Sequence, residues 1–451
     1  MNEKLDFKSN LLIGSLLFGL FFGAGNLIFP VKMGQLAGAN TLTATIGFLM
    51  TGVGLPILGV IASALSRSES LFEMARPVNK NYSIFFTCAL YLTIGPLFAI
   101  PRTATVAFEV GVADFIGDDF LQVGLLIFSF IFFILTLYFS LRPGRILDWV
   151  GRYLTPAFLI LLSVLIVATF INPMGEIGQF EPQGTYATRP LFTGILDGYH
   201  TMDALASLAF AIVIISTIEK LGVHDPKRKA IETLKAGVIC LIGMGVIYAS
   251  LAYMGVTSLA SVGSGANGGI ILSMVGSHYF GFVGQILLAA IVFVACLKTA
   301  IGLITSCAQM FSEMFPRSIS YNKYAIAFTL VSFAIANFGL NAIIQLSVPV
   351  LMFLYPLAIT LIILSLLTPI INKQKDIYRW TTGLTIIAAI FDFINALPDT
   401  VKENVVLTKM INFAKTLFPG FEYGFGWIVP AMIGFIIGLI IWKARQKHTM
   451  K

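Results

Sequence analysis

The sequence has very few charged residues. Only 11% of its 451 residues are Asp, Glu, Lys or Arg, against roughly 25% in a typical soluble domain. Hydrophobic residues make up 57%, and the 41 glycines also fit membrane helices, which use glycine more often than soluble helices do. This composition excludes a soluble globular protein and predicts an all-α integral membrane protein. No signal-peptide pattern precedes the first apolar run, so we expect the N-terminus to be retained.

Residues that hold metals or perform catalysis are also scarce. The four cysteines (Cys88, Cys240, Cys296 and Cys307) lie in apolar runs without a CxxC pair, so we expect neither a disulfide framework nor a zinc site. The four histidines form no HExxH motif. An intramembrane enzyme would need a metal cluster or a nucleophile–base pair. The sequence therefore disfavours an enzyme, and it predicts no cofactor.

Apolar runs long enough to cross a bilayer, about 20 residues each, occur along the whole chain. We predict about twelve transmembrane helices, at about residues 10–38, 40–65, 82–111, 120–141, 146–172, 192–220, 229–258, 279–311, 324–339, 342–368, 379–397 and 425–443. Most of the 29 lysines and arginines then fall on the side that holds both termini. The positive-inside rule places that side in the cytoplasm. The basic residues thus indicate topology rather than a nucleic-acid surface, and no protein partner is evident.

Two of these segments are interrupted in corresponding places. Residues 20–30 read LFFGAGNLIFP, where glycines and a proline disfavour a continuous helix. Five segments later, residues 197–207 read DGYHTMDALAS, with polar residues inside an apolar run. Interrupted helices in corresponding positions of two halves indicate a transporter's binding site, because unwound backbone must face a ligand or a water-filled cavity. A helix N-terminus suits a carboxylate, and free carbonyls suit a cation.

Four motifs in the same order resemble those of a known family. They are FFGAGNLIFPVKMGQLAG, GPLFAIPRTATVAFE, GYHTMDALASLAF and ACLKTAIGLITSC, beginning at residues 21, 95, 198 and 295. They resemble the bacterial branched-chain amino acid:cation symporters, the BrnQ-type carriers. The resemblance implies import of leucine, isoleucine and valine across the bacterial plasma membrane, coupled to a cation, H+ or Na+. It also implies a leucine-transporter-type fold, with two inverted five-helix repeats (residues 1–172 and 173–368) followed by two C-terminal helices (residues 369–451).

The resemblance also assigns roles to individual positions. The amides of Ala24 and Gly25 would bind the substrate carboxylate, and carbonyls in the second break would accept from its ammonium group. The implied substrate-binding residues are Gly23, Ala24, Gly25, Asn26, Phe98, His200, Thr201, Met202, Asp203, Thr299 and Leu303. Sodium-coupled relatives bind their ion at positions that correspond to Gly19, Phe22, Ala295, Lys298 and Thr299.

Lys298 departs from the sodium-binding pattern. A carbonyl followed by hydroxyls three and four residues later would converge on one ion, but the residue three positions after Ala295 is a lysine. An unpaired charge at mid-membrane costs about 2.5–3.5 kcal/mol on insertion scales. Three interpretations stay open: the ammonium replaces sodium, Lys298 forms a structural salt bridge with Asp203, or sodium binds elsewhere, near Asn26 and Thr201. In the first case transport would be proton-coupled or sodium-independent.

Two further points concern the third segment and the class of protein. Arg102 and Glu109 lie about two turns apart on one helix face, where they form either an internal pair or part of a gate. Pro96 and Pro101 are expected to kink the same helix. An ion channel would usually show a repeated filter loop, whereas two dissimilar broken helices in one chain suit a carrier.

Overall fold

The computed structural model describes residues 5–68, 70–142 and 155–449, and all regular secondary structure in these ranges is helical. The first eight α-helices of nine or more residues are α1 Phe7–Phe21, α2 Ala24–Ala37, α3 Thr41–Leu49, α4 Leu55–Ser66, α5 Lys80–Leu92, α6 Ala99–Gly111, α7 Leu121–Ser140 and α8 Thr155–Ile171. The start of the predicted fifth segment, residues 146–154, lies outside the described residues.

Nine further α-helices of that length follow in the described chain. They are α9 Pro190–Tyr199, α10 Asp203–Lys220, α11 Pro226–Ser258, α12 Gly268–Met314, α13 Tyr321–Ala336, α14 Leu340–Leu366, α15 Lys375–Asn395, α16 Val405–Leu417 and α17 Ile428–Thr449. Within the described ranges, nine helical stretches are long and apolar enough to cross a membrane. Other predicted segments are split by breaks or are shorter, so the total of twelve crossings stays a prediction.

Polar side chains define several of the helix ends. The side chain of Asn79 accepts a hydrogen bond from the amide of Tyr82 at the start of α5. Asp225 caps α11 in the same way, directly before Pro226 at its first position. These caps satisfy amides that have no partner within their own helix.

Some helices depart from regular α-helical geometry inside the apolar runs. α3 continues into α4 through one π-helical turn, and α5 leads to α6 through another, Thr93–Leu97, in which Gly95 is not helical. The expected distortion of the third segment is therefore present, and it lies around Pro96 rather than Pro101. α12 begins earlier than the predicted eighth segment, and it bends at Gly281, whose φ of 57° suits glycine.

The two broken segments pack in equivalent ways. α1 and α2, the two halves of the first broken segment, both contact α11. α9 and α10, the two halves of the second broken segment, contact α3 and α4, which form one continuous segment. Glycines allow the backbones to meet at both places. A Cβ built on Gly34 or Gly255 would lie 2.0 Å from a carbonyl oxygen of the facing helix, and one on Gly47 or Gly194 would lie 2.1 or 2.0 Å away. The first broken segment thus packs against a helix of the second half of the chain, and the second broken segment packs against helices of the first half. Two inverted repeats would produce this arrangement. The proposed repeat boundaries remain predictions.

Candidate functional site

The first break separates α1 from α2. Phe22 and Gly23 are extended, with φ of −72° and −126°, so the helix stops after Phe21 and restarts at Ala24. The first amides of α2 have no acceptor within their own helix, although the amide of Asn26 bonds back to the carbonyl of Gly23 at 3.2 Å. The N-terminus of α2 therefore presents amide groups and partial positive charge to whatever lies in front of it.

The second break separates α9 from α10. His200 and Thr201 follow the end of α9, and Met202 has a left-handed conformation with φ of 63° before α10 begins at Asp203. Their carbonyls already have a donor. The guanidinium of Arg102, from α6, donates to the carbonyl of His200 at 2.6 Å and to that of Thr201 at 3.4 Å.

A cavity lies between the two breaks, and we call it the central cavity. It is lined by most of the residues predicted to bind substrate, namely Gly23, Ala24, Gly25, Asn26, Thr201, Met202, Asp203, Thr299 and Leu303. Residues that were not predicted also line it, including Arg102, Thr103 and Phe210. Much of the remaining lining is apolar, from Leu20, Phe21, Ile94, Ala99 and Ala206. The cavity thus combines backbone polar groups with an apolar wall.

A buried polar network closes one side of the central cavity. The side-chain amide of Asn26 donates to the carboxylate of Asp203 at 2.7 Å and to the carbonyl of Phe21 at 3.1 Å, and it also contacts the hydroxyl of Tyr248. Tyr248 donates to Asp203 at 3.3 Å. The sequence had pointed to Asn26 and Asp203, but Tyr248 lies in the apolar interior of α11 and had no distinguishing signal.

Lys298 lies where α12 faces the end of α1. A Cβ built on Gly19 would be 3.8 Å from the Lys298 ammonium nitrogen. Four residues further along the chain, a Cβ built on Gly23 would be 3.4 Å from the methyl group of Thr299. The hydroxyl of Thr299 donates to the carbonyl of Ala295 at 3.0 Å. α1 and α12 therefore meet at Gly19 and Lys298, and Thr299 lies beside the first break at Gly23. The role of these residues, with Phe22 and Ala295, as a cation site remains a prediction.

The side chains of two predicted substrate contacts lie apart from this cavity. Phe98 stands at the start of α6 and packs against the core, but it is not among the residues lining the central cavity. The side chain of His200 lines a second cavity, with Lys32, Asp197 and other residues, and its ring stacks on Phe29 at 5.2 Å. Their roles in substrate binding remain predictions.

The described residues contain no group of three or more His, Cys, Asp or Glu side chains placed to hold a metal ion. The polar groups of the central cavity are instead carbonyls, amides, hydroxyls, one carboxylate and one guanidinium. Two facing helix breaks around such a cavity, inside a helical membrane fold, define a carrier of small solutes.

Comparison with known proteins agrees with this class. Residues 6–445 match the sequence profile of a family described as "Branched-chain amino acid transport protein", and the chain belongs to that family. It is 48% identical over 438 residues to the branched-chain amino acid permease BrnQ of Lactobacillus delbrueckii subsp. lactis, covering 97% of each chain. It is 40% identical over 450 residues to the permease BrnQ of Bacillus subtilis, covering 100% of each. The family is one of transporters, not enzymes.

Solved structures support the fold. The nucleobase-cation-symport-1 family transporter MHP1, in a closed conformation with bromovinylhydantoin bound, is similar with a TM-score of 0.59 at 15% identity, over 97% of this chain and 93% of that one. MhsT in complex with L-phenylalanine gives 0.55 at 15% identity, over 97% and 98%. These likenesses confirm the leucine-transporter-type fold expected from the sequence.

Proposed function

We propose that this protein is a secondary active transporter that imports leucine, isoleucine and valine by alternating access. The observation that carries the proposal is the central cavity between the two helix breaks. The N-terminus of α2 supplies amides for a carboxylate, and the carbonyls of His200 and Thr201 suit an ammonium group. Leu20, Ile94, Phe210 and Leu303 add an apolar wall that fits a branched aliphatic side chain.

The family and the two permeases named BrnQ support the choice of substrate. These three amino acids differ by about one methylene, which is worth only about 1–3 kcal/mol in a hydrophobic pocket. A single apolar wall therefore accepts all three. The protein sits in the bacterial plasma membrane with both termini in the cytoplasm, as the distribution of basic residues indicates.

The proposal includes a role for Lys298. Its ammonium lies near Gly19, beside Thr299 and the first break, where sodium-coupled relatives hold their ion. A second positive charge there would repel sodium. Lys298 therefore takes the place of the ion, and transport is driven by protons or proceeds without sodium. The competing function is sodium-coupled transport of the same substrates. The carbonyl of Ala295 and the hydroxyl of Thr299 favour it, because they are oxygen ligands beside the break.

Uptake of radiolabelled isoleucine into proteoliposomes separates these functions. Wild type, Lys298→Thr and Lys298→Met would each be given a sodium gradient alone or a proton gradient alone. Lys298→Met is the matched control, since it keeps an unbranched side chain but offers neither a charge nor an oxygen ligand. We expect wild type to ignore sodium. If protons drive transport, wild type also responds to the proton gradient and both variants lose that response. Lys298→Thr, which restores the hydroxyl, should gain a sodium response that Lys298→Met lacks.

Two outcomes would contradict the proposal. A sodium requirement in wild type would exclude the replacement of sodium by Lys298, and it would favour the competing function with Lys298 in a salt bridge. Absence of saturable uptake of leucine, isoleucine and valine under every gradient would exclude the substrate assignment itself.

A further inference from the structure

Arg102 is an unusual residue for the interior of a membrane protein. It projects from α6, its side chain is 4% exposed, and its guanidinium donates to the carbonyls of His200 and Thr201. The charged group also lies over the ring of Phe29, 5.0 Å from the ring centre. Arg102 thus satisfies the carbonyls that the second break leaves without helical donors, which would otherwise be buried without partners.

The same guanidinium touches the first break. A Cβ built on Gly25 would lie 2.8 Å from the Nη2 atom of Arg102. Arg102 is therefore pressed against the first turn of α2, the positive end of that helix dipole, where a cation is disfavoured and an anion is favoured. Within the described residues its Nε atom is buried and makes no hydrogen bond. The positive end of the α2 dipole and the guanidinium of Arg102 therefore both lie at the central cavity.

We propose that Arg102 binds the substrate carboxylate together with the N-terminus of α2, after releasing the carbonyls of the second break to the substrate ammonium group. This inference rests on the proposed function, because it assumes that the central cavity binds an amino acid. Without substrate, the guanidinium fills the place of the ammonium group. With substrate, the ammonium group binds the two carbonyls and the carboxylate binds the guanidinium, so both sides of the former Arg102–carbonyl contact keep a partner.

The exchange makes recognition depend on both charged groups at once. An amine without a carboxylate would compete with Arg102 for the carbonyls and offer the displaced guanidinium nothing in return. The side chain also suits the task chemically, since a planar guanidinium can bind a carboxylate through two parallel hydrogen bonds while a lysine acts as a point charge.

The test compares L-leucine with L-leucinol, which keeps the ammonium group and the side chain but lacks the carboxylate. Binding of each to the purified full-length protein in detergent would be measured by calorimetry for wild type, Arg102→Gln and Arg102→Lys. Loss of a hydrogen-bonded charged partner corresponds to roughly 10- to 100-fold in affinity. We expect Arg102→Gln to lose that factor for leucine and to bind leucinol as well as wild type or better. Arg102→Lys should lie between the two.

The ratio of the two affinities separates this role from a structural one. If leucine and leucinol weaken by the same factor in both variants, Arg102 only supports the fold of the second break and the inference is wrong. Should Arg102→Gln not fold, as judged by size-exclusion chromatography, Arg102→Lys decides alone, with a smaller expected change in the ratio of the leucine and leucinol affinities. If wild type binds no branched-chain amino acid, the proposed function fails first. If wild type binds leucine and the ratio does not change in the variants, only the role of Arg102 fails.

Discussion

The close contact between α2 and α11 can be tested by a substitution that adds a single methyl group. A Cβ built on Gly255 would lie 2.0 Å from the carbonyl oxygen of Val31, whereas ordinary van der Waals contact begins near 3.4 Å. Gly255→Ala therefore requires the two backbones to separate by about 1.4 Å. The obstacle is a main-chain atom within a helix, so it cannot be removed by rotating a side chain. Gly245, in the same helix, has no atom within 4 Å of its built Cβ apart from its chain neighbours and the backbone of its own helix.

The two substitutions should therefore act in opposite directions. In Gly245→Ala the methyl group has space, and the gain in helix propensity stabilises the protein by up to about 1 kcal/mol. In Gly255→Ala, overpacking costs about 1–3 kcal/mol. The displacement also carries the N-terminus of α2 away from the central cavity. A shift of this size at a binding site can reduce activity on the order of 10- to 100-fold.

Both effects can be measured on the same preparations. The apparent melting temperature in detergent, recorded at one scan rate, ranks wild type and the two variants. Uptake of labelled isoleucine into proteoliposomes reports on the cavity. We expect Gly245→Ala to match or exceed wild type in both assays and Gly255→Ala to be lower in both. If Gly255→Ala melts and transports like Gly245→Ala, then α2 and α11 are not in direct backbone contact and the packing argument is refuted.

Two further predictions concern buried carboxylates. Asp203→Ala removes the carboxylate that accepts from both the Asn26 amide and the Tyr248 hydroxyl, which should destabilise the protein by about 1–3 kcal/mol. Asp203→Asn keeps an oxygen there and should melt closer to wild type. Equal melting of the two variants would contradict this network. Glu232, fully buried in α11, accepts a hydrogen bond from the side chain of Asn10 in α1 at 3.1 Å. Glu232→Ala removes this acceptor, whereas Glu232→Gln keeps an oxygen. Glu232→Ala should therefore accelerate amide hydrogen exchange at the start of α1 more than Glu232→Gln does. Unchanged exchange in Glu232→Ala would show that this hydrogen bond does not hold α1 in place.

The breaks were predictable because their causes are local. Gly23 and Gly25 weaken the first helix where it ends, and the polar run around Thr201 marks the second. Lipid offers no partner for unwound backbone, so the two breaks had to face a common cavity. The apposition of Lys298 and Gly19 also followed from family positions alone.

Contacts between distant segments were not predictable in this way. Arg102 is 98 residues from His200 along the chain, and its sequence position suggested only a partner two turns along the same helix, Glu109. The contact with His200 depends on how α6 packs beside both breaks, which no local pattern encodes. Tyr248 is another such case, because an aromatic residue in an apolar helix resembles ordinary core until its hydroxyl is seen near Asp203.

Because the helix is interrupted at Gly23, α1 can rotate there as a rigid arm relative to α11. α2 is fixed to α11 at Gly255, and the far end of α1 is held to α11 by the hydrogen bond between Asn10 and Glu232. At 1.5 Å per residue, the arm from Gly23 to Asn10 is about 20 Å long. A rotation of about 10° at the break would carry its end about 3–4 Å. A small rotation at the break is therefore enough to separate the side chains of Asn10 and Glu232, while the end of α1 at the central cavity scarcely moves.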